Sequence, residues 1–189
     1  MKKIKFYHTL IFLLLLIQPG VFYAFSQSQL YTVSSGNVNF TSEAPLELIK
    51  ASSQNIKGLI DPAKRTFAFS IEMKSFHGFN SPLQQEHFNE RYLETDRFPQ
   101  GTFSGKIIED IDFEADGSHE VRAKGMLTIH GVAQERIMNA KIMVKDNVLT
   151  ISSSFLVPLK EHEISIPKIV YQKIAQEIQV EMHVELKKL

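Results

Sequence analysis

From Gln29 onward the chain alternates apolar with polar residues in short runs, the two-residue period of half-buried β-strands. Val38 and Phe40 alternate with Asn37, Asn39 and Thr41, which predicts a strand over Gly36–Ser42 that extends back toward Tyr31. A second strand, Leu46–Ser52, carries Leu46 and Leu48 on its apolar face. Asp61-Pro62-Ala63-Lys64, with Pro at the favoured second position of a turn, joins Gly58–Ile60 to Arg65–Met73. Phe67, Phe69, Ile71 and Met73 share one face there. Phe103, Gly105 and Ile107 follow with the same period, and Asp116-Gly117 is read as the hairpin turn into Glu120–Ile129. That strand places Val121, Ala123, Gly125, Leu127 and Ile129 on one side, small at the centre and large at the ends.

Gly131 closes this strand, Gln134–Lys145 forms the next, and Asp146-Asn147 turns the chain into Val148–Val157. Leu149, Ile151, Ser153, Phe155 and Val157 line one face of it. Pro158–Gln172 has no period. The final segment alternates most regularly, with Ile178, Val180, Met182, Val184 and Leu186 set against Glu177, Gln179, Glu181, His183 and Glu185.

Ser81–Phe103 interrupts the strands with the one helix that the sequence predicts beyond the signal. Ser81 is a good N-cap, Pro82 suits the first helical position, and Gln84 stands where a capping box places Glu or Gln. A helix over about residues 82–93 is predicted, stopped by Pro99 and Gly101. Phe88 and Tyr92 share a helical face, but Leu83 lies about 140° from Phe88, so the apolar stripe is broken. The segment reads as a short plug or lid, with Phe88, Tyr92, Phe98 and Phe103 turned inward and Glu86, His87 and Glu90 at a polar rim.

About eight strands, each apolar on one face and without helices to cover a sheet, need one shared interior, which predicts an all-β barrel or a two-sheet sandwich. An eight-stranded barrel is just wide enough to hold side chains or one slender ligand. Periodicity leaves a filled core and a ligand cavity as equal alternatives.

Composition supplies an address. Lys2, Lys3 and Lys5 precede an apolar run from Leu10 to Ile17 and the small residues Ala24 and Ser26, the layout of a signal peptide over residues 1–26. The run is too short for a spanning helix, so no stable membrane anchor is expected. Cleavage after Ser26 leaves one domain, residues 27–189, with 18 basic against 21 acidic side chains. That balance lacks the basic footprint of a nucleic-acid binder. The chain has no Cys, which excludes disulfides, thiol chemistry and lipidation at a cysteine.

Candidate chemistry is sparse. The six His beyond the signal (His77, His87, His119, His130, His162 and His183) show neither His-x-His nor His-x-x-x-His spacing, so no metal site is expected. His87 with Glu86 and Glu90 is the best acid–base cluster, read first as a helix-surface network and second as general acid–base machinery. His130, at a strand end before Gly131, is read as a backbone-bonding residue or a polar contact at the barrel mouth. No Gly-x-Ser-x-Gly elbow occurs. Fourteen Phe and five Tyr without a Trp describe an apolar interior poor in hydrogen-bonding groups.

Three stretches together, EHFNERYLETDRFPQGTFSGKI, VRAKGMLTIHGVAQE and FLVPLKEHEISIP, resemble the YceI-like family of polyisoprenoid-binding proteins. His87, Phe98-Pro99 with Phe103, and Gly125–Val132 stand in the family's motif positions. The resemblance implies an antiparallel, lipocalin-like β-barrel that encloses an isoprenoid chain and is exported to the periplasm, without catalytic machinery. A bound isoprenoid lipid or quinone is the implied partner, no further cofactor is implied, and the oligomeric state stays open, a dimer included. With the strand pattern it predicts a lining of Phe40, Leu48, Phe67, Phe69, Ile71 and Phe79, continued by Phe88, Tyr92, Phe98 and Phe103 at the lid. Leu127, Ile129, Phe155 and Val180 complete it, with His87 and His130 at the polar rim. Two stretches depart from the family pattern, Ser42–Pro45 and Leu159–Ile164, so the head-group end of a ligand is not carried over. An enzyme acting on a lipid head group through Glu86, His87 and Glu90, and a packed module without a cavity, are the alternatives.

Overall fold

Strand β1 (Tyr31–Ala44) is paired on both edges, and this closes the sheet. In the computed structural model, which describes residues 29–189, one edge of β1 runs antiparallel to β9 (Glu177–Lys188), with a bulge at Ser34. The predicted signal peptide and its cleavage point lie outside the described residues. The other edge of β1 meets β2 (Glu47–Ser53) and β3 (Ile56–Asp61) in one register, since Val38 faces Ser53 and Tyr31 faces Ile60. β2 and β3 are therefore two halves of one strand, kinked at Gln54-Asn55. β4 (Thr66–Glu72), β5 (Gln100–Ile107), β6 (Gly117–Ile129), β7 (Val132–Lys145) and β8 (Val148–Pro158) follow in order back to β9. The result is a closed, antiparallel, eight-stranded barrel, one of the two architectures that the alternation allows and the one that the family resemblance implies.

Three hairpins have two-residue turns, and two of these run through positive φ. His130 (φ 52°) and Gly131 (φ 74°) link β6 to β7, and Asp146 (φ 51°) and Asn147 (φ 62°) link β7 to β8. Paired positive φ values match the right-handed twist of the flanking strands. Asp116-Gly117 is not such a turn. Gly117 already belongs to β6, and a longer loop over residues 108–116 precedes it, because Phe113 folds in as a plug and accepts a hydrogen bond from Tyr31 Oη at its carbonyl (3.1 Å).

The barrel is filled differently at its two ends. At the Tyr31 end, Ile60, Phe67, Ile107, Phe113, Val121, Ile142, Val144, Leu149, Val184 and Leu186 pack into a dry core. Gly105 and Gly125 face each other across β5 and β6, and a Cβ on either would run into the opposing backbone.

At the other end the strands diverge. β3 pairs with β4, but β2 does not, and the gap is wedged open by the insertion between β4 and β5. A Ser52–His77 bridge holds the wedge to β2, and Met73 N donates to Pro99 O (2.9 Å) at its base. Likewise β7 and β8 pair only as far as Ala140 and Ser153, while each stays paired to its outer neighbour.

Gly105→Ala is expected to lower stability by about 1–3 kcal/mol, because the added methyl meets the Lys124 carbonyl rather than a movable side chain. Chemical denaturation against wild type measures it.

Candidate functional site

Where the strands diverge, the barrel holds a cavity of ≈ 480 Å³. Its walls are the inward residues of the strands: Val38 and Phe40 from β1, Phe69 and Ile71 from β4, Phe103 from β5, Leu127 and Ile129 from β6, Phe155 and Val157 from β8, and Val180 and Met182 from β9. These are residues whose partners across the barrel are too far away to fill the space between them. Polar groups bordering the cavity include Ser42, Glu47, Ser81, Gln84, His87, Tyr92 and Lys173.

The lid is built from its caps outward. Ser81 Oγ accepts from Gln84 N (3.2 Å), and Gln84 Oε1 accepts in return from Asn80 N (3.0 Å), which starts helix α1 (Pro82–His87). Gln84 Nε2 donates to Glu47 Oε1 (2.9 Å), and Gln85 Nε2 donates to Phe76 O (3.0 Å), so the helix is tied to β2 and to its own insertion. The predicted single helix is not regular. Phe88–Tyr92 forms a π-helical turn in which Leu93 N donates to Phe88 O (3.0 Å). The wider turn brings Phe88, Tyr92 and Leu93 all to the cavity, a combination that an ideal helical wheel does not foresee. Leu83, on the other side of that wheel, borders the cavity at its exposed rim.

Phe88 is clasped by Phe40 (centroids 5.4 Å apart, stacked), Phe79 (5.1 Å) and Phe76 (6.0 Å). Such aromatic pairs contribute about 0.5–1.5 kcal/mol each beyond the area they bury. Burial pushes the Tyr92 phenol above its ordinary pKa, with Arg91 opposing, so the hydroxyl stays neutral across the physiological range.

Phe40, Phe69, Ile71, Phe88, Tyr92, Phe103, Leu127, Ile129, Phe155, Val180 and, at the rim, His87 all border the cavity. Five expected residues do not. Leu48 is 49% exposed and points outward, since Glu47, Ile49 and Ala51 hold the inner face of β2; the turn ends one residue later than its sequence suggests, and a one-residue slip reverses every side chain. Phe67 sits lower, in the dry core beneath Phe103 (4.8 Å). Phe79 stands behind Phe40 and Phe88 as a second layer.

Phe98 turns away to cover Gly131 and the His130 ring (4.7 Å), leaving no room there for a Cβ. His130 does not border the cavity either. Its Nδ1 donates to the carbonyl of His162 (3.1 Å), and its Nε2 lies 3.2 Å from Glu94 Oε1, so it fastens the lid to the segment after β8. Of the acid–base cluster, only His87 borders the cavity; Glu86 and Glu90 lie on the exposed side of the lid. Among the described residues no three His, Asp or Glu side chains converge as metal ligands.

Strand periodicity could not find the contributions of the irregular segments: Phe76 before the helix, and Leu159, Ile164, Val170 and Ile174 after β8. The stretch Leu159–Ile164, which departs from the family pattern, closes the gap between β7 and β8. Gln134 Nε2 donates to Glu161 O (2.8 Å), Arg136 pairs with the Glu161 carboxylate, and His162 Nδ1 donates to Val132 O (3.0 Å). His162 is fully buried, and its Nε2 has no partner. Burial holds its pKa below 6.5 against the opposing pull of the Val132 carbonyl.

Dry at one end, hollow at the other and lidded by a short helix, the molecule is a lipocalin-like barrel with an internal apolar cavity. The chain belongs to the YceI-like domain family, whose model matches residues 25–186. Solved structures agree on the fold. Burkholderia cenocepacia BcnA is 17% identical, with a TM-score of 0.65 over 79% of this chain and 95% of that one. A polyisoprenoid binding domain from Saccharophagus degradans, implicated in plant cell wall breakdown, is 13% identical, with a TM-score of 0.72 over 84% and 98%. A mutant of the Campylobacter jejuni YceI protein is 20% identical, with a TM-score of 0.54 over 69% and 77%. At these identities the likeness speaks for the fold alone. No curated protein matches the chain.

Two measurements follow from the geometry. Leu149→Ala, in the dry core, is expected to cost about 2–5 kcal/mol, whereas Phe155→Ala, in the cavity wall, should cost less than half the usual loss for a buried Phe because it already faces space. The second concerns pH. With the folded pKa of His162 below its unfolded value of about 6.5, the unfolded chain takes up the proton first, so stability is complete above pH 6.5 and declines below it. The urea midpoint is expected to fall between pH 7.5 and 5.5, and to fall less in His162→Gln.

Proposed function

We propose that this chain is an exported carrier that sequesters an isoprenoid-type lipid, a quinone or polyprenyl compound, in the barrel cavity. The observation that carries the reading is the cavity itself, walled by Phe, Leu, Ile and Val from every side of the barrel except β7. Membership of the YceI-like family supports it, as does the polyisoprenoid-binding description of the Saccharophagus neighbour. Export to the periplasm rests on Lys2, Lys3 and Lys5 ahead of the apolar run Leu10–Ile17.

At roughly 30 Å³ per non-hydrogen atom, the volume of one molecule in liquid water, the ≈ 480 Å³ cavity holds about 16 such atoms. Three isoprene units fit inside, and a longer chain runs on through the mouth. Burial at ~0.8 kcal/mol per CH₂ drives binding without an ionic anchor. The lining suits this. Branched methyl groups fill the irregular space between Phe rings, and a head group meets the bordering Gln84, His87 and Lys173.

Organic-solvent extraction of the purified protein followed by mass spectrometry is expected to recover a prenylated lipid. Val180→Trp, which fills the cavity, should lower the lipid-to-protein ratio at least tenfold without unfolding the barrel. Absence of lipid together with no uptake of a decyl-chain quinone would overturn the proposal.

A further inference from the structure

The mouth of the cavity is ringed by apolar side chains that nothing in the fold covers. Leu46, in the β1–β2 turn, is 67% exposed; Leu83, at the start of α1, 57%; Ile169, 90%; and Tyr171, 50%. They come from three separate segments that hydrogen bonds gather at one place. Leu46 N donates to Gln172 O (2.8 Å), Ala175 N donates to Ser42 Oγ (2.9 Å), and the Gln84–Glu47 bond brings α1 alongside. The turn at Lys168–Val170 is apolar on both sides: Val170 and Ile174 border the cavity, while Ile169 and Tyr171 face outward.

We propose that this rim is a bilayer-docking face, in which Ile169 and Tyr171, flanked by Leu46 and Leu83, enter the membrane surface and bring the cavity mouth onto the lipid. The proposal rests on the lipid-carrier reading. The turn itself carries charge that favours an anionic lipid surface. Between Ser165 and Gln176 the charged residues are Lys168 and Lys173, both cationic, on the segment that carries the most exposed apolar tip. The acidic Glu43, Glu47 and Glu86 lie on the neighbouring elements, so the attraction is local to this turn. Each lysine near an anionic surface is worth about fivefold in affinity. Tyr171 suits the head-group level, and Ile169 the acyl boundary below it. Four tips on three separate segments around an opening match a fluid surface better than the continuous patch of a protein interface. Among the described residues no helix is long and apolar enough to cross a membrane.

Flotation of the mature protein with vesicles tests this, using phosphatidylcholine alone and with about one-fifth phosphatidylglycerol. Wild type is expected to float with the anionic vesicles at least tenfold more than with the neutral ones. Ile169→Asp should abolish flotation, and Tyr171→Ser should reduce it severalfold; neither residue lines the cavity, so uptake of a decyl-chain quinone in solution should be unchanged. A wild type that takes up the quinone but does not float overturns the docking face alone. Flotation of a protein that yields no extractable lipid and takes up no quinone supports the face and removes the carrier reading. Flotation unaffected by Ile169→Asp overturns the face, as does a non-floating wild type that Ile169→Asp converts from dimer to monomer, which would make the rim a contact between two copies.

Discussion

Closure of the sheet through β1 is the constraint on which the rest depends. Ten residues of β1 find partners on β9, while β2 and β3 share its other edge, so the barrel carries no free side at that seam. A closed barrel of eight strands has little freedom in radius. Its interior must be filled with side chains or left as a cavity, and this molecule does one at each end. Gly105 opposite Gly125 brings β5 and β6 close together near the middle, and the Phe69 ring lies over Gly58, where a side chain would collide with it. Below them the core is continuous to Tyr31 and Phe113.

The hollow end exists because two neighbouring pairs of strands separate there. β2 leaves β4, and β7 leaves β8, each at a cost in ladder hydrogen bonds that the inserted segments partly offset. The helix insertion bonds to β2 through His77 and Gln84. The segment after β8 bonds to β7 through Glu161 and His162. His130 joins the two insertions, reaching Glu94 on one and the His162 carbonyl on the other. The lid and the seam are thus one hydrogen-bonded unit around the mouth, held by side chains rather than by a continuous ladder. Such regions open at lower free energy than the packed sheet, which suits an entrance.

Much of this was legible in the residues. Alternation located the strands and, for β4, β5, β6, β8 and β9, their inner faces, because one side chain in two must leave water and the backbone leaves no other choice. Ser81-Pro82 and Gln84 marked the start of α1 through capping chemistry that is local by nature. The family motifs identified the family.

What only the folded molecule decided is where the interior stops being core and becomes cavity. Phe67 and Phe69 are two residues apart on one face, yet one packs in the dry end and the other borders the hollow, because the divergence of the strands lies between their levels. Leu48 was misplaced by a one-residue uncertainty in a turn, which period-two structure converts into a reversal of sides. Phe98 and His130 were drawn into the fastening of the mouth by partners distant in sequence, and the π turn at Phe88–Tyr92 arose from a local change in hydrogen bonding that no spacing rule records. Periodicity thus settles which side of a strand is buried; how much space lies beyond that side depends on contacts between segments far apart in the chain.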